Sequence, residues 1–215
     1  MVEVKATVVM RTKEVLDSRA LQCVSSMKAS TSIPFNLFIV ETKNMTHPME
    51  INRIAEIADT PFLVTVDDDV VVEEGWLEAM LETLQHDDIG QTQLWLVNPE
   101  GKSIWNVQLQ SREPNDMEDI SYACTACMAV KLDVFKKVGG CDTSYRKYAF
   151  DVDLSWKIKE LGYRVVLTKR SRGIHFIGYW AERDKERYLK LGERDHQLLY
   201  DKWFRTGRVR REWII

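Results

Sequence analysis

The 215-residue sequence has no apolar run of the eighteen or so residues that a helix needs to cross a bilayer. Its first residues, Met1-Val2-Glu3-Val4-Lys5, lack the basic and apolar regions of a secretory signal peptide, so a cytoplasmic protein is expected. An excess of one charge is missing too. Thirty basic against thirty-three acidic residues leave a formal net charge of -3, which excludes a global field suited to nucleic acid or a membrane surface. Cysteine is scarce: Cys23, Cys124, Cys127 and Cys141 include one CxxC, no second one, and no histidine at finger spacing, so they make no zinc site by themselves. In a strand, positions 124 and 127 point to opposite faces, and reduced core thiols are the expectation. Repeats, low-complexity tracts and interdomain linkers are absent as well. What remains is a chain of ordinary globular composition, long enough to bury one sizeable core.

The most informative stretch is Phe62-Leu63-Val64-Thr65-Val66-Asp67-Asp68-Asp69-Val70, an apolar run ending in three carboxylates. Such a run reads as a buried strand, and in open α/β sheets ligands bind at the C-terminal ends of strands. Two readings stand for the triplet: a cation site, because clustered acids repel one another without a counterion, or a solvated acidic turn. Strand alternation puts Asp67 and Asp69 on one side and Asp68 on the other, in contact with backbone or substrate.

Upstream, residues 4–10 read as a first strand followed by Arg11-Thr12-Lys13, and Leu16, Leu21, Val24 and Met27 mark the apolar face of a first helix. Residues 35–40 form a second strand ending at Glu41, and a helix over residues 49–58 leads into the acidic strand. This alternation predicts an α/β fold with a mainly parallel sheet. Downstream come a helix with Trp76, Leu77, Met80, Leu81 and Leu84 on one face, strands at 91–97, 104–107 and 122–130, a short helix at 132–138 and a Gly139-Gly140 stop. Residues 111–120 read as a polar loop.

A secure helix opens at Phe150-Asp151-Val152-Asp153 and stops at Gly162. At about 100° per residue, Asp151 falls roughly 20° from Ile158, so it faces the core or a cleft, and a carboxylate there needs a partner or a job. Asp153 falls with Lys157 and Glu160 on the polar side, where solvation is expected. Residues 164–167 are a further strand, followed by a basic turn at Lys169-Arg170-Ser171-Arg172 and by His175 between apolar neighbours, either a hydrogen-bonded core residue or a ligand. A charged helix over 183–203, interrupted at Gly192, precedes a basic end with Arg205, Arg208, Arg210 and Arg211, read as phosphate-binding or solvated.

In this order, Asp67 to Asp69, Gly139-Gly140-Cys141-Asp142, Ala149 to Leu154, Gly162-Tyr163-Arg164-Val165 and His175 resemble the family 2 glycosyltransferases of the GT-A fold. The resemblance covers residues 4–178. It implies a single GT-A-type, Rossmann-like α/β domain at 1–178 with a mostly parallel central sheet flanked by helices. Its nucleotide-sugar half is about 1–97 and its acceptor half about 98–178, with a helical, basic C-terminal extension at 179–215 packed on it. The resemblance further implies that Arg11, Thr12, Glu41, Asn52, Asp67 and Asp68 bind the donor, with Glu41 at the base and Asp67 at the ribose. Asp69 and His175 would ligate Mn2+ or Mg2+, and Asp151 would be the catalytic base. Trp95, Phe150 and Trp180 are the candidate acceptor contacts. The chain departs from the family pattern at Phe150, where many relatives have an acid, at Cys141 for phenylalanine, at Glu41 for aspartate and at Met10-Arg11 for proline.

The expected activity is transfer of a sugar from a nucleotide-sugar donor, a UDP-sugar first, to a saccharide or other hydroxyl acceptor, with inversion. A hard cation suits this chemistry because the leaving diphosphate gains charge. The alternatives are transfer to modified nucleic-acid bases, suggested by the basic segments and by Trp95, Trp105 and Trp180, a nucleotidyltransferase, or a non-catalytic nucleotide-sugar binding module.

Overall fold

The fold follows from how its strands divide their side chains between two faces. In the computed structural model, which describes residues 3–42, 45–104, 112–177 and 185–214, strands β1 (Ala6–Thr12), β2 (Phe35–Glu41), β3 (Phe62–Asp67), β4 (Val70–Val72), β5 (Ile89–Val97), β6 (Glu118–Asp119), β7 (Cys127–Lys131) and β8 (Arg164–His175) form one sheet. Its order is β2-β1-β3-β7-β5-β8-β4, with β6 on β8. β2-β1-β3 and β5-β8 are parallel, as the alternation of strands and helices requires, while β7 lies antiparallel between the two blocks. Val8 and Met10 point into one core and Val9 into the other, and the same alternation separates Val64 from Leu63.

Helices α1 (Ser18–Ala29) and α3 (Trp76–Thr83) cover one face; α2 (His47–Ile57), α4 (Leu132–Lys137) and α5 (Phe150–Glu160) cover the other. Asp17 starts α1 by accepting a hydrogen bond from the Arg19 N–H at 2.8 Å. The buried face of α1 is Ala20, Cys23 and Met27, whereas Leu16 and Leu21 are exposed. The expected Leu16/Leu21 face is therefore corrected: the smaller residues let the helix approach the sheet, and the Cys23 thiol donates to the Asp67 carbonyl at 3.3 Å.

Three further expectations change. Residues 164–175 form one continuous strand rather than a short strand at 164–167 followed by a basic turn. There Arg170 pairs with Glu82 and Asp116, Arg172 with Glu73 and Lys169 with Glu113, so acids match the basic segment. α6 (Lys185–Leu199) continues through Gly192 into a π-helical turn at Tyr200–Phe204. The basic end is folded onto the body, with Arg208 paired to Glu160 and 4.2 Å from the Trp203 ring centroid. The strand expected at 104–107 extends into residues outside those described.

Asp153 is the third correction. It is fully buried, takes the Trp203 indole N–H at 2.7 Å, and lies 2.7 Å from Lys202 Nζ and 3.8 Å from Lys157 Nζ. The wheel placed it on the side of α5 that α6 and its π-helical turn then covered. Removing one partner of a buried pair leaves an uncompensated charge. Asp153→Ala is expected to lower stability by about 3 kcal/mol in urea titration.

Candidate active site

Parallel pairing brings the ends of β1, β2 and β3 to one edge, with Arg11 in register with Asp67 and Thr12 with Glu41. Asp67 closes β3. The chain then turns into β4, whose Val70 pairs with His175 at the end of β8. That short antiparallel pairing, invisible in the sequence, sets His175 Nε2 3.0 Å from Asp69 Oδ1, while the Phe176 N–H donates to the Asp69 carbonyl at 2.9 Å. Ligand atoms of Asp67, Asp69 and His175 all fall within 4.8 Å of one another. Asp68 is buried outside this group; because β3 ends at Asp67 and Asp68 and Asp69 stand in the turn before β4, the turn rather than strand alternation separates them. Burial and repulsion from Asp69 push the Asp67 carboxyl upward, against the pull of His175, Arg11 and Lys147. Two carboxylates and one imidazole at this spacing fit a divalent cation with mixed oxygen and nitrogen ligation, a set that suits Mn2+ better than Mg2+.

Asp151 stands in the first turn of α5, which follows Ala149 in a left-handed conformation at φ 60°. Its Oδ1 accepts the Val152 N–H at 3.0 Å. The Thr125 N–H and the Cys124 thiol also reach its carboxylate. Desolvation outweighs these donors and raises its pKa to about 6. The segment that holds Asp151 also holds β3: Asp67 N–H donates to the Ala126 carbonyl at 2.9 Å, and the Thr65 hydroxyl to the Thr125 carbonyl at 2.7 Å. Residues 124–126 thus join the two halves of the site. All four cysteines are free and buried, as expected, but Cys124 has a neighbour that the sequence did not reveal.

The other candidates divide. Arg11 is buried and ion-paired with Glu50, a fully buried residue the sequence reading missed, and Glu50 Oε1 has no hydrogen-bond partner among the described residues. Thr12 is buried, with its hydroxyl 3.0 Å from the Glu14 carbonyl. Glu41 lies exposed at the end of β2. Asn52 donates to the Cys141 carbonyl and accepts from the Cys141 N–H, both at 2.8 Å, so its amide fastens the turn after Gly140. A Cβ on Gly140, whose φ is +67°, would sit 2.6 Å from Asn52 Oδ1, which explains glycine there.

Phe150 is corrected as an acceptor contact: it is 1 % exposed and stacks edge-on against His47 at 5.8 Å, inside the core. Trp95 donates its indole N–H to the Ser103 hydroxyl at 2.8 Å and borders a groove of about 260 Å³ with Glu73, Glu74 and residues 169–172. That groove shares no residue with the Asp67, Asp69, His175 group. Trp180 lies outside the described residues, as does Trp105.

The sequence profile of glycosyl transferase family 2 matches residues 20–139, more than half of the chain. The chain belongs to glycosyl transferase family 2. The matched stretch holds Asp67 to Asp69, and Asp151 and His175 lie beyond it. The O-antigen biosynthesis protein RfbC of Myxococcus xanthus is 23 % identical over an alignment of 176 residues that covers 72 % of this chain and 13 % of that protein. Among solved structures, GalNAc-T7 with UDP, GalNAc and Mn2+ superposes with a TM-score of 0.62 at 13 % identity, over 80 % of this chain and 44 % of that one. The mannosyltransferase PcManGT from Pyrobaculum calidifontis, in complex with GDP-Man and Mn2+, gives 0.61 at 14 % identity, over 83 % and 59 %. These two share the GT-A fold with this family 2 chain, which spans less than two thirds of each relative.

Proposed function

We propose that this family 2 chain is a divalent-metal-dependent glycosyltransferase that moves a sugar from a UDP-sugar to a saccharide hydroxyl with inversion. The observation that carries the reading is the meeting of Asp67, Asp69 and His175 at the sheet edge, joined through residues 124–126 to Asp151. Asp67, which the family resemblance assigned to the ribose, would join Asp69 and His175 in holding Mn2+, which when bound neutralises charge on a leaving diphosphate. Asp151 takes the proton of the attacking hydroxyl; with a pKa of about 6 it is ionised at neutral pH yet more basic than a solvated aspartate. Glu41 and Thr12, in register at the β1/β2 edge, would bind the nucleoside end of the donor. The acids that match residues 169–172 remove one argument for a nucleic-acid acceptor, so the saccharide reading is retained.

A thermal-shift panel of nucleotide sugars with and without Mn2+ tests this, because a ligand of the native state raises Tm. UDP-sugars with Mn2+ are expected to raise Tm by several degrees, and EDTA to abolish the rise. A rise with no nucleotide sugar in the panel, or equal rises with and without metal, counts against it.

A further inference from the structure

Helix α6 reaches back to the loop that precedes α5. Its Asp195 is fully buried and accepts the backbone N–H of Arg146 at 3.1 Å, of Lys147 at 2.8 Å and of Tyr148 at 2.9 Å, with Arg194 Nη1 2.6 Å from its other oxygen. Three successive amides on one carboxylate fix the path of residues 146–148. Seven residues earlier, two turns along the same helix, Tyr188 offers its ring to two ammonium groups: Lys147 Nζ is 4.7 Å and Lys13 Nζ 5.0 Å from the centroid. Lys13 directly follows Thr12 at the end of β1, where Arg11 is in register with Asp67, and shares the Tyr188 ring with Lys147, so both ammonium groups lie towards the edge that carries the acidic group. Among the described residues the Lys147 ammonium makes neither a hydrogen bond nor an ion pair. A largely desolvated cation held on aromatic faces, with no hydrogen-bonded anion among the described residues, is an arrangement that an incoming anion completes.

We infer that Lys147 and Lys13, gathered on Tyr188, form an anion subsite that takes the diphosphate of a nucleotide-sugar donor. The inference rests on the donor reading proposed above and extends it: the protein supplies its own cations to the leaving group besides the one its acidic residues would hold. In the transfer step the bond from the anomeric carbon to the diphosphate oxygen breaks and its electron pair stays on that oxygen. The acceptor oxygen forms the new bond, and its proton goes to Asp151. Lys147 neutralises the charge that accumulates on the departing diphosphate, which makes it a catalytic residue of that step. The subsite also gives α6 a part in the chemistry, because Asp195 sets the backbone and Tyr188 the ring that hold Lys147 in place.

The experiment is calorimetric titration of UDP, UMP, GDP and GMP into wild type, Lys147→Met and Lys147→Arg, in Mn2+ and in EDTA. Wild type is expected to prefer a diphosphate over its monophosphate by about tenfold even in EDTA, where only side chains are left to discriminate. Lys147→Met should lose that preference while still binding the monophosphate as wild type does, which reports that it is folded. Lys147→Arg should restore most of it. An unchanged diphosphate preference in Lys147→Met overturns the subsite and leaves the donor reading intact. Failure of wild type to bind any of the four nucleotides in Mn2+ overturns both.

Discussion

Asp151→Asn is expected to lower kcat for sugar transfer by about three orders of magnitude and to leave donor binding within about twofold of wild type. The substitution keeps the shape of the side chain and an oxygen for the Val152 N–H, so the first turn of α5 survives while the proposed base is lost. Burial raises the Asp151 pKa to about 6, and the wild-type rate should fall tenfold per pH unit below that value and level off above it. The stability consequence has the opposite sign. A carboxyl whose folded pKa exceeds its unfolded value contributes stability at low pH, and that contribution is lost as pH rises through about 6. Asp151→Asn should therefore be more stable than wild type at pH 8, by something on the order of 2 kcal/mol, and no more stable at pH 4. A pH series of urea titrations reads this directly. A variant that loses both activity and stability at pH 8 would make Asp151 a structural residue.

Asp69→Ala is expected to reduce kcat/KM by about 10³-fold and to abolish any Mn2+-dependent rise in Tm. Its carboxylate lies 3.0 Å from His175 and within ligand range of Asp67, while its main-chain carbonyl, which the truncation keeps, accepts the Phe176 N–H. The truncation thus removes a ligand without removing the contact that keeps β8 against β4. His175→Ala should act in the same direction. An Asp68→Ala protein tests the separation of side chains in the turn after β3: it should keep its metal response, since Asp68 lies outside the group.

Much of this arrangement was legible in the sequence because it follows from local periodicity. The order of strands and helices, the strand ending in Asp67, and the inward face of Asp151 all came from the apolar pattern and the helical turn. The parts that were not legible depend on contacts distant in sequence. β4 is three residues long and pairs with β8, so the approach of His175 to Asp69 had no local signal and was anticipated only through the family resemblance. Asp153 looked solvated because its own helix is polar on that side, and its burial is supplied by Trp203, Lys202 and Lys157. Phe150 looked like an aromatic contact for an acceptor, yet His47 and the core claim it. The match of 169–172 to Glu73, Glu82, Glu113 and Asp116 likewise spans many tens of residues. Lys147 and Asp195 carried no motif at all; a buried acid in a charged helix became informative only once its three amide partners were visible.

The central claim is that a cation held by Asp67, Asp69 and His175 serves departure of a nucleoside diphosphate, and the identity of the released nucleotide tests it most directly. Wild type and Asp69→Ala are incubated with UDP-sugars and a panel of saccharide acceptors, in Mn2+ or EDTA, and the products are resolved by chromatography. The account predicts UDP from wild type in Mn2+ only, and none above background from Asp69→Ala. Pyrophosphate as the product, or equal UDP release by Asp69→Ala and by wild type in EDTA, would contradict it.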